Sequence, residues 1–344
     1  MKILIAASSW HDDLAGVAER GFKALGHHTD FFEENISTTD NTLSRIANRL
    51  SLPNIARRYS ESHRRHLFQR LRAKVAAIKP DLLFVINGQR YFPEDVASLH
   101  QDFGVITAAY VVDDPMLGNC WLRELSGYDH SFVIDDSWMP YMEYFAPGRV
   151  HFLAQTNDQY VFHPLNIAKT HDIGFGGTLA LRLPNTPSGL LRASILNSLA
   201  ESGFSIRTFA PGISETFRYY PALQKVDYTD SYQPHEKLNE LYNSVRIVVS
   251  VHSPQFKHGI SPRVFGAAFA GAFQLVEFKP DVDILFPPGL LQSFRSPQEL
   301  NEKVRYYLAN PEEAEANALK VREYALLHHT FQNRAEDVIN IIKQ

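Results

Sequence analysis

The chain runs twice through an alternation of short apolar segments and longer segments of helical periodicity, and that alternation narrows the fold to one class. In the first half, residues 2–7, 81–87, 105–112, 130–134 and 150–153 are short, apolar and bounded by turn residues, as strands buried on both faces should be. Helical patterns fall between them near 12–25, 55–78, 93–101 and 136–145. The second half repeats the scheme, with strands expected near 171–175, 204–209, 246–251, 272–276 and 290–294. Its helices are expected near 188–202, 235–243, 262–270, 297–309 and 312–327. Repeated strand–helix alternation predicts an α/β protein with two doubly wound, Rossmann-like sheets. Periodicity lapses over 154–170, so the expected division is 1–160 and 161–330, and 344 residues suffice for two cores.

In a doubly wound sheet, ligands collect at the carboxyl ends of the strands, and that rule selects the candidate residues. The densest signal is Ser261-Pro-Arg-Val-Phe-Gly-Ala-Ala-Phe-Ala-Gly-Ala-Phe-Gln-Leu-Val-Glu277. It predicts a helix opened by Ser261 and Pro262, a tight turn at Gly271 and a buried strand over 272–276. Arg263 then lies in the first turn of the helix, where a cation is unfavourable unless an anion such as phosphate shares the site. Gly174, Gly176 and Gly177 follow the first strand of the second half, with Thr178 and Arg182 just beyond. Such a cluster forms either a plain turn or a backbone that approaches a diphosphate closely, which Arg182 would help neutralise. Ser253-Pro-Gln-Phe-Lys-His-Gly259 follows another strand and offers Lys257 and His258, either as donor contacts or as ordinary loop polar groups. Phe209 ends a strand and either stacks on a nucleobase or belongs to a turn, and Glu277 stands at a further strand end.

In the first half, Asp113 and Asp114 end a strand and precede Pro115. Adjacent carboxylates suit a general base for an acceptor hydroxyl, and an Asp before Pro equally suits a turn. Residues adjacent on an extended segment point to opposite sides, so one of the two is expected to face the site. His11 follows the first strand and could accept a proton near neutral pH. Asn87 and Arg90, in Asn-Gly-Gln-Arg after the next strand, are candidates for orienting an acceptor. Asp135 and Asp136 read as helix-capping residues, and His328 and His329 as a helix C-terminus, so no metal site is expected.

The composition is that of a folded, soluble chain: 44% hydrophobic, 21% charged, net charge −4. That charge gives no global preference for nucleic acid. A single cysteine, Cys120, leaves no intrachain disulfide and suits a reducing compartment. The apolar start is too short for an export signal, and the expected location is the cytoplasm or the inner face of a membrane. One region departs from the average. Residues 45–74 hold nine Arg or Lys and a single acid, Glu61. Leu67, Leu71, Val75 and Ile78 recur there at helical spacing, so the stretch is either a solvated basic helix or a contact for anionic lipid or an acidic acceptor.

The Ser261–Glu277 segment resembles the C-terminal half of the CgeB-like glycosyltransferases, relatives of the group 1 enzymes with the GT-B fold. Asp172-Ile-Gly-Phe-Gly-Gly-Thr178, Ser296-Pro-Gln-Glu-Leu, Val304-Arg-Tyr-Tyr-Leu-Ala-Asn-Pro-Glu-Glu313 and His328-His-Thr-Phe-Gln-Asn-Arg334 extend the likeness. Asp113-Asp114-Pro115 carries it into the first half. The resemblance implies a nucleotide-diphosphate sugar donor held by the second domain, and a protein or surface-glycan acceptor held by the first. It also implies a metal-independent, retaining reaction, and a final helix over 331–344 that returns to the first domain. Gly266 departs from it: the family has Glu there, and in the group 1 relatives that Glu holds the donor ribose. Either another residue such as Glu277 supplies the contact, or donor binding is altered. A GT-B-derived binding protein without catalysis and a nucleotide-sugar epimerase are therefore the alternatives to a transferase.

Overall fold

The computed structural model describes residues 1–8, 12–34, 39–116, 121–182 and 186–344. They form two compact units, Met1–Leu153 with Phe331–Gln344, and Ala154–Thr330.

The first unit is built on six parallel strands, β1 (Lys2–Ala7), β2 (His28–Glu33), β3 (Leu82–Ile86), β4 (Ile106–Val111), β5 (His130–Val133) and β6 (Val150–Phe152). Their spatial order is β2-β1-β3-β4-β5-β6. The principal helices are α1 (Asp12–Ala24), α2 (Thr39–Arg49), α3 (Pro53–Ile78) and α4 (Pro93–Phe103). Every residue of β3 is buried, as the unbroken apolar run Leu-Leu-Phe-Val-Ile requires. β2 was not anticipated. Its sequence His-Thr-Asp-Phe-Phe-Glu is mostly exposed because the strand lies at the sheet edge, and it has no apolar run to betray it.

The second unit has six parallel strands, β7 (His171–Gly176), β8 (Ile206–Phe209), β9 (Asp227–Thr229), β10 (Val245–Ser250), β11 (Gln274–Glu277) and β12 (Ser293–Phe294). They are ordered β12-β11-β10-β7-β8-β9. The order reverses between β7 and β10, and such a switch point is where open α/β sheets bind ligands. The main helices are α5 (Thr186–Glu201), α6 (His235–Asn243), α7 (Pro262–Phe269), α8 (Pro297–Ala309) and α9 (Pro311–His328). Two apolar clusters cover the sheet: Ile247, Val249 and Val251 join one, and Val248 joins the other with Val264, Phe265 and Phe269.

The division falls at Leu153/Ala154 rather than near 160. Residues after 153 are already integral to the second unit: the Asn157 side-chain amide donates to the Pro262 carbonyl at 3.3 Å, and Phe162 is fully buried among the α6 and α7 side chains. The last helix, α10 (Phe331–Ile342), belongs to the first unit. Phe331 meets Phe22 edge to face at 6.2 Å and Tyr110 at 6.3 Å. α1 has Gly21 at the crossing, where a Cβ would stand 2.6 Å from the Phe331 ring.

Candidate functional site

The switch point of the second unit gathers two arginines, Arg192 buried and Arg263 half-buried, around one backbone carbonyl. Arg263 enters from the first turn of α7, whose N-cap is Ser261; the Ser261 hydroxyl accepts from the Arg263 amide at 3.4 Å. The guanidinium donates from Nη2 to the Val251 carbonyl at 3.4 Å. Arg192, on α5, is 3% exposed and donates from Nε to the same carbonyl at 3.3 Å and from Nη1 to the Thr178 carbonyl at 3.2 Å. A Cβ on Gly177 would lie 3.8 Å from the Arg263 Cζ, so the glycine loop runs directly beside the guanidinium.

Burial, followed by repulsion from Arg263, brings Arg192 down to about 9, with Glu277 opposing the shift. Burial likewise lowers Arg263. Both stay protonated at neutral pH. Among the described residues, neither forms an ion pair, and the recorded acceptors are backbone carbonyls. Two like charges held together, one buried and one half-buried, are costly unless an anion completes the set. Each guanidinium has five N–H donors, so most remain for ligand oxygens.

His252 holds this arrangement. It follows β10, its backbone N–H donates to Glu277 Oε2 at 2.8 Å, and its Nε2 donates to the Glu277 carbonyl at 3.0 Å. Nδ1 accepts from the Ser261 amide at 3.0 Å. One imidazole thus ties the ends of β10 and β11 to the start of α7, the element that carries Arg263. Burial, reinforced by the charges of Arg263 and Lys279, lowers its pKa to about 3. With both ring nitrogens engaged and no proton gained at neutral pH, it acts as a clamp.

That clamp has a pH signature. The unfolded chain binds the proton near 6.5 and the folded one near 3, so protonation favours unfolding as pH falls between those values. Stability should drop by up to about 1.4 kcal/mol per pH unit across that window on account of this residue. Urea midpoints measured from pH 7 to 4 should show a steeper acid decline in the native protein than in His252→Gln. Equal slopes would contradict the assignment.

The other expected donor residues divide by position. Gly176 packs against Leu238, whose Cδ1 would stand 2.4 Å from a Cβ there and would have to turn aside. Thr178 spends its hydroxyl on the turn, donating to the Pro211 carbonyl and accepting from Ala180, both at 3.2 Å. Arg182 does not join the arginine pair: it is 86% exposed and paired to Glu215 at 3.5 Å. Phe209 ends β8 with its carbonyl accepting from Gly177 and its ring partly buried. His258 is half-buried, and its carbonyl accepts from Asp281. Glu277 is engaged by His252 and stands 3.8 Å from Lys279.

Gly266 is buried and closely packed. A Cβ there would meet the Asn157 side-chain nitrogen at 3.0 Å and the Phe162 ring at 3.3 Å.

In the first unit, the residues after β3 and β4 form a second constellation. Asn87 takes a left-handed backbone, φ 67°, and its side-chain oxygen accepts from Val112 at 2.9 Å and Asp113 at 3.2 Å. Its amide donates to Asp113 Oδ2 at 2.8 Å. Asp113 is exposed, whereas Asp114 is 6% exposed and accepts from the Met116 amide at 2.9 Å as a turn residue. Of the pair ranked together from sequence, Asp113 is therefore the one presented to solvent. Arg90 pairs with Glu34 at 3.5 Å, and Glu34, just beyond β2, is 2% exposed. His11 lies outside the described residues.

Arg192 and His252 carry no mark in the sequence that singles them out. Arg192 sits within a helical pattern, and His252 looks like one more polar residue after a strand. Their position at the switch point is the only signal, and it requires the strand order.

A family described as "Glycosyl transferase-like" matches residues 192–340, less than half of the chain. No curated protein matches it. Solved structures match throughout. Sucrose-phosphate synthase from Thermosynechococcus elongatus is 12% identical with a TM-score of 0.70, covering 100% of this chain and 98% of that one. Anabaena HepE in complex with UDP and glucose is 11% identical with a TM-score of 0.64, covering 100% and 99%. UDP-GlcNAc 2-epimerase from Neisseria meningitidis bound to UDP-GlcNAc is 12% identical with a TM-score of 0.58, covering 100% of both. The fold is GT-B, with two Rossmann-like units.

Proposed function

We propose that this protein is a glycosyltransferase of CgeB-like type that uses a nucleotide-diphosphate sugar. The observation that carries the reading is the pair of Arg192, buried, and Arg263, half-buried, at the switch point, with backbone carbonyls as their acceptors. The pair is built to take a diphosphate. Its N–H groups would hold the phosphate oxygens, with the Gly177 backbone close beside them. As the bond from the anomeric carbon to the diphosphate breaks, charge gathers on the departing phosphate, and the two fixed cations would stabilise it without a metal. Asp113, exposed and oriented by Asn87, would serve the acceptor hydroxyl of a protein or surface glycan. The resemblance to group 1 enzymes favours retention at the anomeric carbon. Anabaena HepE and the Neisseria epimerase were solved with UDP or a UDP-sugar, which puts uridine nucleotides first among donors to test.

One observation favours a second reading. Gly266, packed against Asn157 and Phe162, leaves no carboxylate at the position the family uses for the ribose. A binding protein that keeps the diphosphate site but not turnover fits that departure. An epimerase fits less well, because His252 has both ring nitrogens engaged and cannot shuttle a proton.

The test is a thermal-shift screen against UDP, GDP, dTDP and CMP, followed by donor hydrolysis. At a hundred times its dissociation constant a ligand adds about 2.7 kcal/mol, which for a unit of this size raises Tm by about 5–10 °C. A single nucleoside diphosphate is expected to give that shift, and its sugar conjugate to be hydrolysed or transferred. A shift without turnover would support the binding protein, and no shift with any nucleotide would overturn the proposal.

A further inference from the structure

We propose that the turn between α2 and α3 is a membrane-contact surface that recognises anionic lipid. The structure divides the basic stretch in two. Along the body of α3 three of the five charges are engaged within the first unit, Arg64 with Glu124 at 3.1 Å, Arg72 with Asp102 at 2.5 Å and Lys74 with Asp30 at 2.8 Å, while Arg65 and Arg70 stay exposed. Leu67, Phe68, Leu71 and Val75 are buried beside them. That half serves the fold.

The other half does not. Residues 41–60 contain Arg45, Arg49, Arg57 and Arg58 and no acid. Arg57 reaches Glu61 only at 3.8 Å with its side chain 74% exposed, a weak pair. Among the described residues, no carboxylate is recorded against Arg45, Arg49 or Arg58, and all three are exposed.

The apolar residues here are turned outward. The Leu50 amide donates to the Ile46 carbonyl at 3.0 Å and the Leu52 amide to Ala47 at 2.9 Å, closing α2. Ser51 takes φ 55°, and Pro53 opens α3. Ala47 and Ala56 are 4% and 3% exposed, so the small side chains go inward. The large ones remain outside: Ile46 at 46%, Leu50 at 64%, Leu52 at 43% and Ile55 at 47%. A single exposed leucine is ordinary. Four branched aliphatics on one ten-residue turn, with arginines interspersed and no acid, match a surface that dips aliphatic side chains into a headgroup layer while the guanidiniums meet lipid phosphates. No described helix is long and apolar enough to cross a membrane, so the contact is peripheral.

Charge decides the occupant. A second copy meeting this turn symmetrically would bring arginine against arginine. Nucleic acid would engage the arginines but offers nothing to the aliphatics, and stacking platforms for bases are aromatic.

The full chain should be floated with vesicles of phosphatidylcholine alone and of phosphatidylcholine mixed with phosphatidylglycerol, at low salt and at about 1 M salt, where screening is nearly complete. Binding is expected to the anionic vesicles only and to weaken at high salt. Leu50→Ser with Leu52→Ser, and separately Arg45→Gln with Arg49→Gln and Arg58→Gln, should each lower partitioning about tenfold or more. The same variants should keep native melting temperatures and nucleotide-induced shifts. No flotation with anionic vesicles, equal flotation with neutral ones, or variants that bind as the native chain does would each overturn the proposal. Self-association lost in Leu50→Ser with Leu52→Ser, without vesicle binding, would assign the turn to a second copy instead.

Discussion

Arg263→Ala is expected to weaken nucleoside diphosphate binding by about a hundredfold or more, while leaving the protein folded. The direction follows from what surrounds the guanidinium. It is desolvated, its recorded acceptor is the Val251 carbonyl, and Arg192 shares that acceptor. A phosphate would receive charge-assisted hydrogen bonds worth about 1.5–3 kcal/mol each, and two such bonds account for the stated loss. In the unliganded protein the substitution removes repulsion from Arg192, whose pKa Arg263 depresses. The melting temperature should therefore stay the same or rise. Arg263→Lys would keep the charge but lose the fork, and should fall between. Calorimetric titration with the nucleotide identified by the screen checks the affinities, and melting without ligand checks the fold. If Arg263→Ala binds normally, the arginine pair is a structural device and the diphosphate site lies elsewhere.

Gly266→Glu gives the second large effect. Placing there the Glu of the glycosyltransferases that this segment resembles is expected to destabilise the second unit by about 4 kcal/mol or more and to leave donor affinity unimproved. The Cβ alone would press within 3.0 Å of the Asn157 nitrogen and 3.3 Å of the fully buried Phe162 ring. Four further heavy atoms and a charge would have to follow into that packing. Urea unfolding should show the lowered midpoint. A variant of native stability with tighter nucleotide binding would mean that the side chain escapes to the donor site, and that the glycine is a simple loss.

The sequence reading and the structure agree most where strands are central and differ at the edges and at the site. β1, β3 and β4 were legible because nearly all their residues are apolar and buried, and β7 and β10 because each keeps four consecutive buried positions. β2 and β9 were not, because an edge strand needs apolar residues on few positions; β9 is the three residues Asp-Tyr-Thr with none fully buried. Arg263 was legible from the Ser-Pro start of its helix, a local signal. Its companion Arg192 lies 71 positions earlier on another helix, and the clamp His252 becomes visible only when β10 and β11 are known to be neighbours. Arg182 lies apart from the arginine pair for the opposite reason. Closeness in sequence to the glycine loop suggested a shared site, but Glu215 claims it at the surface. The sequence does not order the aspartate pair; Asn87, on a different strand end, distinguishes exposed Asp113 from buried Asp114.

The placement of α10 also governs the order in which the chain can mature. The second unit is one uninterrupted stretch, Ala154–Thr330, while the first waits for Phe331–Gln344. During synthesis, folding ordinarily proceeds from the N-terminus, domain by domain. Here the unit made first is finished last: until Phe331 arrives to meet Phe22 and Tyr110, the earlier half lacks part of its core. A premature stop near residue 330 would thus spare the arginine-bearing half and injure the one translated long before it.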